Sequence, residues 1–323
     1  MITSSIVGRV ASETGFRADV VEKVLRLHGI LSRLDQHEVT HGTWLLKGGT
    51  ALNLVHLDVP RLSVDIDVNY VGADDVEGMR RARPDFEHAL TSCCAREGCD
   101  VRRAPSEHAG GKFRLRYPSV LGGSQNLEVD VSYVARVPMW GGLRSPIRFP
   151  PDSHLEVPTL TFEELAAGKF AALVQRSAAR DAFDAANVLT LMPDLVQRPM
   201  FRTAFVCFVA GSRTDPRQLQ RPDVALSDRT IEQDLDPLLR RDREGGHPTS
   251  HGLRDRIAQT VGPALEPLLA WSTREGRFLD RLLDHGEVIA EALHDDPDVQ
   301  DRIRRQPMLN WKAQHVRERR RIE

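Results

Sequence analysis

Apolar and polar positions alternate in several stretches of the chain with the two-residue period of a strand buried on one face. In LSVDIDVNYV, Leu62, Val64, Ile66, Val68 and Tyr70 alternate with Ser63, Asp65, Asp67 and Asn69. In KFRLRYPSV, Phe113, Leu115 and Tyr117 alternate with Lys112, Arg114 and Arg116, and in LEVDVSYV, Leu127, Val129, Val131 and Tyr133 alternate with Glu128, Asp130 and Ser132. The connector LGGSQN joins the last two as a hairpin. A helical period governs ADVVEKVLRLHGILSRL instead, where Val20, Val21, Val24, Leu27, Ile30, Leu31 and Leu34 form one stripe that predicts an amphipathic helix over the sheet. A surface helix follows the first strand, with Asp74 and Asp75 as its N-cap pair.

Beyond the strands, the Pro- and Gly-rich segment 137–158 reads as a linker. Thr161 and Glu164 then open a capping box, and the pattern turns helical and stays so. These elements predict an α/β (α+β) protein in two domains, a mixed sheet with flanking helices over 1–157 and a mostly helical domain over 158–323.

Chemistry concentrates between Trp44 and Val71. A short apolar run ends at Lys47, Gly48 and Gly49 follow, and a helix is expected from Thr50 to about Leu57. The glycines let the backbone turn tightly, and the helix start points N–H groups back at the turn. On the strand that follows, Asp65 and Asp67 project from one face about 6.5 to 7 Å apart, so two hard carboxylates can close on a divalent cation and leave positions for phosphate oxygens. A Gly-Gly pair alone is a turn, and Asp-x-Asp alone is a solvated strand face; the combination in this order predicts a metal–nucleotide site. Asp130 adds a third carboxylate if its strand lies beside that of Asp65 and Asp67. Otherwise it is a surface aspartate at a sheet edge, and Glu128, on the same face, is the reserve. Ser63 also shares that face, where a phosphate would add charge beside the metal ligands and block nucleotide binding; the plainer reading is a strand serine.

At these residues the chain resembles the nucleotidyltransferases of the DNA polymerase β superfamily. More closely, KGGTALNL followed by RLSVDIDV is similar to the AbiEii-type family, toxins of bacterial toxin–antitoxin and abortive-infection systems. In the helical half, Lys169, Arg176 and Arg180 stack on one face if the helix is unbroken, with Asp181 and Asp184 close to Arg180. Such a stripe suits nucleotide phosphates, although most are solvated faces with ordinary ion pairs. Here it is similar to the second conserved block of the same family, which implies Lys169 as a phosphate ligand, Asp181 as a catalytic or site-organising acid, and Asp184 as a structural partner of an arginine. The resemblance implies a polymerase β-like fold, Mg²⁺ (or Mn²⁺), an NTP substrate held also by Lys47, Gly48, Gly49, Thr50, Ser63, Arg176 and Arg180, an RNA acceptor such as the 3′ end of tRNA, and a separately encoded antitoxin. Whether Asp130 or Asp181 takes the proton stays open. The rivals are a nucleotidyltransferase acting on a small molecule and a non-catalytic nucleotide-binding module.

Composition narrows this further. With 323 residues, 41% of them hydrophobic, the chain can bury a large core. Its net charge of −2 excludes a polycation, so RNA binding must use local patches. The most basic of these is the C-terminal block from Asp301, where Trp311 is interleaved with arginines; it reads as an RNA-binding surface or a frayed tail. Four cysteines without zinc spacing, and no run of about 18 apolar residues, predict a reduced, cytoplasmic protein without a membrane span.

Overall fold

The computed structural model describes residues 2–104, 110–224, 226–241 and 250–320. The elements in order are α1 (Ser4–Thr14), α2 (Ala18–Gln36), β1 (Trp44–Lys47), α3 (Gly48–Ala51, continuing as a π turn over Leu52–His56), β2 (Asp65–Tyr70), α4 (Val76–Arg96), β3 (Asp100–Ala104), β4 (Gly110–Pro118), β5 (Ser124–Ser132), β6 (Gly142–Pro146) and β7 (Glu156–Leu160). Helices then continue as α5 (Phe162–Arg176), α6 (Ala179–Leu191), α7 (Pro199–Ala210), α8 (Asp228–Asp234), α9 (Ser250–Leu269), α10 (Thr273–His285), α11 (Pro297–Arg304) and α12 (Pro307–Arg320).

Two compact units emerge. The first contains all seven strands, from the N-terminal helices to Arg136, then Gly142–Leu160 and a return segment from Glu232. The second contains Val137–Gly141, Thr161–Ile231 and the helices from Ser250 onward. The α/β (α+β) class read from the sequence is the class observed.

The sheet runs β3-β4-β5-β2-β1-β7-β6. Parallel pairs (β5 with β2, β1 with β7) interrupt antiparallel ones, so the sheet is mixed. One face is apolar: Ile66, Val68, Leu127, Val129, Val131 and Tyr133 are all buried there. Phe86 of α4 seals it, with its ring 5.2 Å from Tyr70 and 6.4 Å from Tyr133. The predicted stripe of α2 is buried as expected, and Asp75 caps α4 by accepting from the Gly78 N–H.

The segment expected as a linker is part of the sheet. Strands β6 and β7 form there, and β7 pairs in parallel with β1, where the Thr159 hydroxyl donates to the Leu46 carbonyl at 3.1 Å. Pro146 ends the edge strand β6, Pro158 lies within β7 between β1 and β6, and Pro150 follows a cis peptide bond. All four cysteines are buried and unbridged. Among the described residues no helix is long and apolar enough to cross a membrane.

Candidate active site

Strand register brings the carboxylates together. Asp65 and Asp67 point to the half-buried face of β2, opposite the apolar face. The parallel pairing with β5 sets Asp67 beside Asp130 and Asp65 beside Glu128. Adjacent strands lie about 4.8 Å apart, so Asp130 is a direct lateral neighbour of Asp67 and no edge-strand residue. On the other side β1 sets Lys47 opposite Asp67. Glu128 is held by Lys112 at 2.7 Å and Arg114 at 3.5 Å, which occupies the reserve candidate in an ion-pair cluster and leaves the row Lys47, Asp67, Asp130 as the centre of the face.

The glycine turn is built against this row. The helix begins at Gly48, two residues earlier than the sequence pattern suggests, with Lys47 as its N-cap. Gly48 has φ +70°, the left-handed region that favours glycine. A Cβ at Gly48 would lie 2.2 Å from the Asp67 Oδ2, so the carboxylate rests on the backbone of the turn. At Gly49 a Cβ would meet the Arg61 guanidinium and the Ser63 Oγ, each at 2.9 Å. The Asn53 amide donates to the Gly49 carbonyl at 3.0 Å from the π turn that follows, bracing the bend from below.

Gly48→Ala is therefore expected to remove activity and also to cost about 1–3 kcal/mol of stability, since a side chain there is strained by φ and collides with Asp67. Urea unfolding alongside a transfer assay checks both; a variant with native stability and rate would show that the turn does not need its glycine.

Two predicted residues occupy places that differ from expectation. Thr50 is fully buried, and its hydroxyl donates to the Asp65 carbonyl, so the side chain pins the start of β2. Ser63 precedes the strand, which begins only at Asp65; it is buried against Gly49, outside the pleat that carries the aspartates. A kinase would need that segment to open.

Arg61 and Asn69 were not singled out by the sequence. Arg61 is 2% exposed, donates to the Leu62 carbonyl at 3.0 Å, and brings a buried cation to the Gly-Gly turn. An arginine just after Pro60 and just before the Asp-x-Asp strand was the available signal. Asn69 shares the strand parity of Asp65 and Asp67, and its buried Oδ1 has no hydrogen-bond partner among the described residues. Such an atom is normally satisfied by a donor.

The helical unit carries a second cluster. The helix expected to run from Lys169 past Arg180 is broken: Ser177 ends α5 in the left-handed region with φ 50°, and α6 starts at Ala179. Lys169, Arg176 and Arg180 therefore do not share one helix face, and Arg180 is exposed on α6. The break turns α6 so that its first acids meet α5. Asp181 accepts from Lys169 at 2.9 Å and from Arg176 at 2.6 Å, and Asp184 lies 2.8 Å from the Lys169 ammonium. Both aspartate side chains are at most 1% exposed. Burial works to raise the Asp181 carboxyl, but the Arg176 hydrogen bond and the Lys169 charge outweigh it and hold the group below the usual carboxylate range. It is a fixed anion.

Two carboxylates on one strand face, Asp65 and Asp67, beside a turn that a side chain would fill, fit a divalent cation by the chemistry of their donors. Among the described residues no group of three or more His, Cys, Asp or Glu side chains is placed to hold a metal ion together, which leaves the Asp65 and Asp67 pair. An open site suits Mg²⁺, which keeps waters and takes substrate phosphates on one or two protein carboxylates.

The family model for the nucleotidyl transferase AbiEii toxin of type IV toxin–antitoxin systems matches residues 29–262 of this chain. Among solved structures the chain is similar to MenT4, a nucleotidyltransferase toxin from Mycobacterium tuberculosis H37Rv, at 19% identity, covering 95% of this chain and 99% of that one with a TM-score of 0.56. That likeness is one of fold. No curated protein sequence matches the chain.

Proposed function

The chain belongs to the AbiEii family of nucleotidyltransferase toxins of type IV toxin–antitoxin systems, and from that premise we propose that it transfers a nucleoside monophosphate from an NTP to an RNA acceptor, the 3′ end of tRNA. The observation that carries this reading is the seating of the Asp67 carboxylate on Gly48, which puts a metal-binding oxygen and a phosphate-approachable backbone in one space. Asp65 and Asp67, with Asp130 beside them, are the residues to hold Mg²⁺ or Mn²⁺. When bound, the metal supplies charge stabilisation at the transferring phosphate and lowers the pKa of the attacking hydroxyl.

Each protein group has a distinct task. Gly48 and Gly49 let phosphate oxygens approach the main chain, and Lys47 and Arg61 bring positive charge to the same turn. Thr50 and Ser63 serve by holding the turn and strand in register through their buried contacts. Lys169, in the helical unit, has three N–H donors, of which Asp181 and Asp184 take two and fix the ammonium; its proposed task is to bind a phosphate. Asp181, already holding two cations and kept ionised, is a positioning acid, which favours Asp130 over Asp181 as the group that receives the acceptor proton. Arg176 and Arg180 complete the cationic surroundings of Lys169. A toxin of this kind implies a cognate antitoxin as its protein partner.

The test is direct. The protein is incubated with each labelled NTP, Mg²⁺ and total RNA, next to Asp65→Ala and Lys169→Ala. Label in a tRNA-sized band from the native chain alone is the expected result. Label confined to small molecules, or RNA labelled equally by the Asp65 variant, would overturn the reading.

A further inference from the structure

The helical unit contains a cavity of about 510 Å³ formed by α10, α12 and the turn after α7, within the roughly 300–1,000 Å³ of small-ligand sites. Its lining is cationic and aromatic: Arg213, Lys312 and Arg319 with His315 and Trp311, against one acid, Asp215. That acid is already matched. Arg217 holds Asp215 at 2.8 Å while also binding Asp280 at 2.9 Å and Asp284 at 2.8 Å, an ion-pair cluster in which one cation serves three carboxylates. Lys312 donates to the Ser212 carbonyl at 2.8 Å and fixes the turn that presents Arg213.

Trp311 is the second feature. Its side chain is 54% exposed, and its ring lies 4° from parallel to that of His315 with centroids 5.5 Å apart. Stacked aromatic rings beside the Arg213 and Arg319 guanidinium groups are what a nucleobase with its flanking phosphates requires.

From these observations we propose that this cavity is the docking site for an unpaired nucleotide of single-stranded RNA, with the base stacked on Trp311 and His315 and the adjoining phosphates on Arg213 and Arg319. The proposal rests on the RNA-acceptor reading above and gives that acceptor a site in the helical unit. In the lining itself three cations, Arg213, Lys312 and Arg319, stand against the single acid Asp215, which favours a polyanion over an apolar protein surface.

Binding of a fluorescently labelled, unstructured twelve-nucleotide RNA to the full chain, without NTP, tests it across a salt series. Trp311→Leu is expected to weaken binding roughly ten-fold, the loss of one stacked base, with the salt slope unchanged. Trp311→Phe should recover most of the affinity. Arg213→Gln with Arg319→Gln should lower the slope of log affinity against log salt by about 1.4, two single-strand phosphate contacts. Circular dichroism melting identifies any variant that fails to fold. Native affinity and slope in all three variants would overturn the site. Labelling of RNA by native protein and Trp311→Leu alike, with equal affinity, leaves the transferase reading standing and removes the site. Stacking-dependent RNA binding without any nucleotide transfer does the reverse.

Discussion

Asp67→Asn is expected to lower kcat/KM for nucleotidyl transfer by roughly 10³-fold or more, which corresponds to the several kcal/mol that a carboxylate-held metal contributes at a transferring phosphate. The substitution is nearly isosteric, so the amide still fits against the Gly48 turn, where a larger group would not. Its melting temperature should therefore stay within a few degrees of the native chain. Initial rates with a labelled NTP, measured beside thermal unfolding, separate the two effects. Asp67→Glu should also be inactive, because one more methylene drives the carboxylate into the glycine turn. Less than a ten-fold loss in Asp67→Asn would mean that the carboxylate row does not hold the catalytic metal.

The second large effect is on stability. Asp181→Asn is expected to cost about 3 kcal/mol, the lower end of what breaking a buried ion pair costs, because Asp184 still neutralises Lys169. Arg176, with its side chain 64% exposed, recovers water when its partner is lost and adds little. The pH dependence has a definite sign. Folded Asp181 titrates below its ordinary value, so its contribution is complete above the unfolded carboxylate pKa of about 3.9 and is lost as pH falls through the folded value. Urea unfolding at pH 7 and in steps below pH 4 should show a native protein whose stabilisation is constant above about pH 4 and falls below it, and an Asn variant that has none of it to lose. Equal midpoints for the two proteins at pH 7 would show that the cluster is an incidental contact.

The central parts of the fold were legible because their patterns are local. Strands β2, β4 and β5 each bury one face and wet the other, and α2 carries its stripe in residues three and four apart, so period alone reveals them. What stayed hidden depended on tertiary pairing or on a single backbone angle. The edge strand β3 is mostly charged, with Arg102 and Arg103 where apolar residues would have marked it. Strands β6 and β7 lie in a segment whose prolines and glycines signal a linker, and only their neighbours make them strands. The break between α5 and α6 falls at Ser177, which takes a left-handed conformation that the sequence advertises at glycine and asparagine. That one angle moved Asp181 and Asp184 onto Lys169.

The site divides the same way. That Gly48 and Gly49 meet the strand of Asp65 and Asp67 was readable because the residues lie close together in the sequence. Asp130 was readable only as far as its strand; the parallel register that sets it beside Asp67 is a property of the folded sheet. At Ser63 the apolar–polar alternation misleads, because it runs over three residues, Leu62 to Val64, that precede the strand, and Leu62 and Ser63 are both buried there. Arg61 was passed over because an arginine before a strand usually faces water, whereas here it lies under the Gly-Gly turn.

The most direct test is a Mn²⁺ titration followed by electron paramagnetic resonance, with a non-hydrolysable NTP analogue, comparing the native chain with Asp65→Asn combined with Asp67→Asn. Mn²⁺ bound by the native protein together with the nucleotide, and left free in solution by the folded double variant, is the expected result. Equal uptake of metal and nucleotide by both proteins would contradict the assignment of the β2 carboxylates.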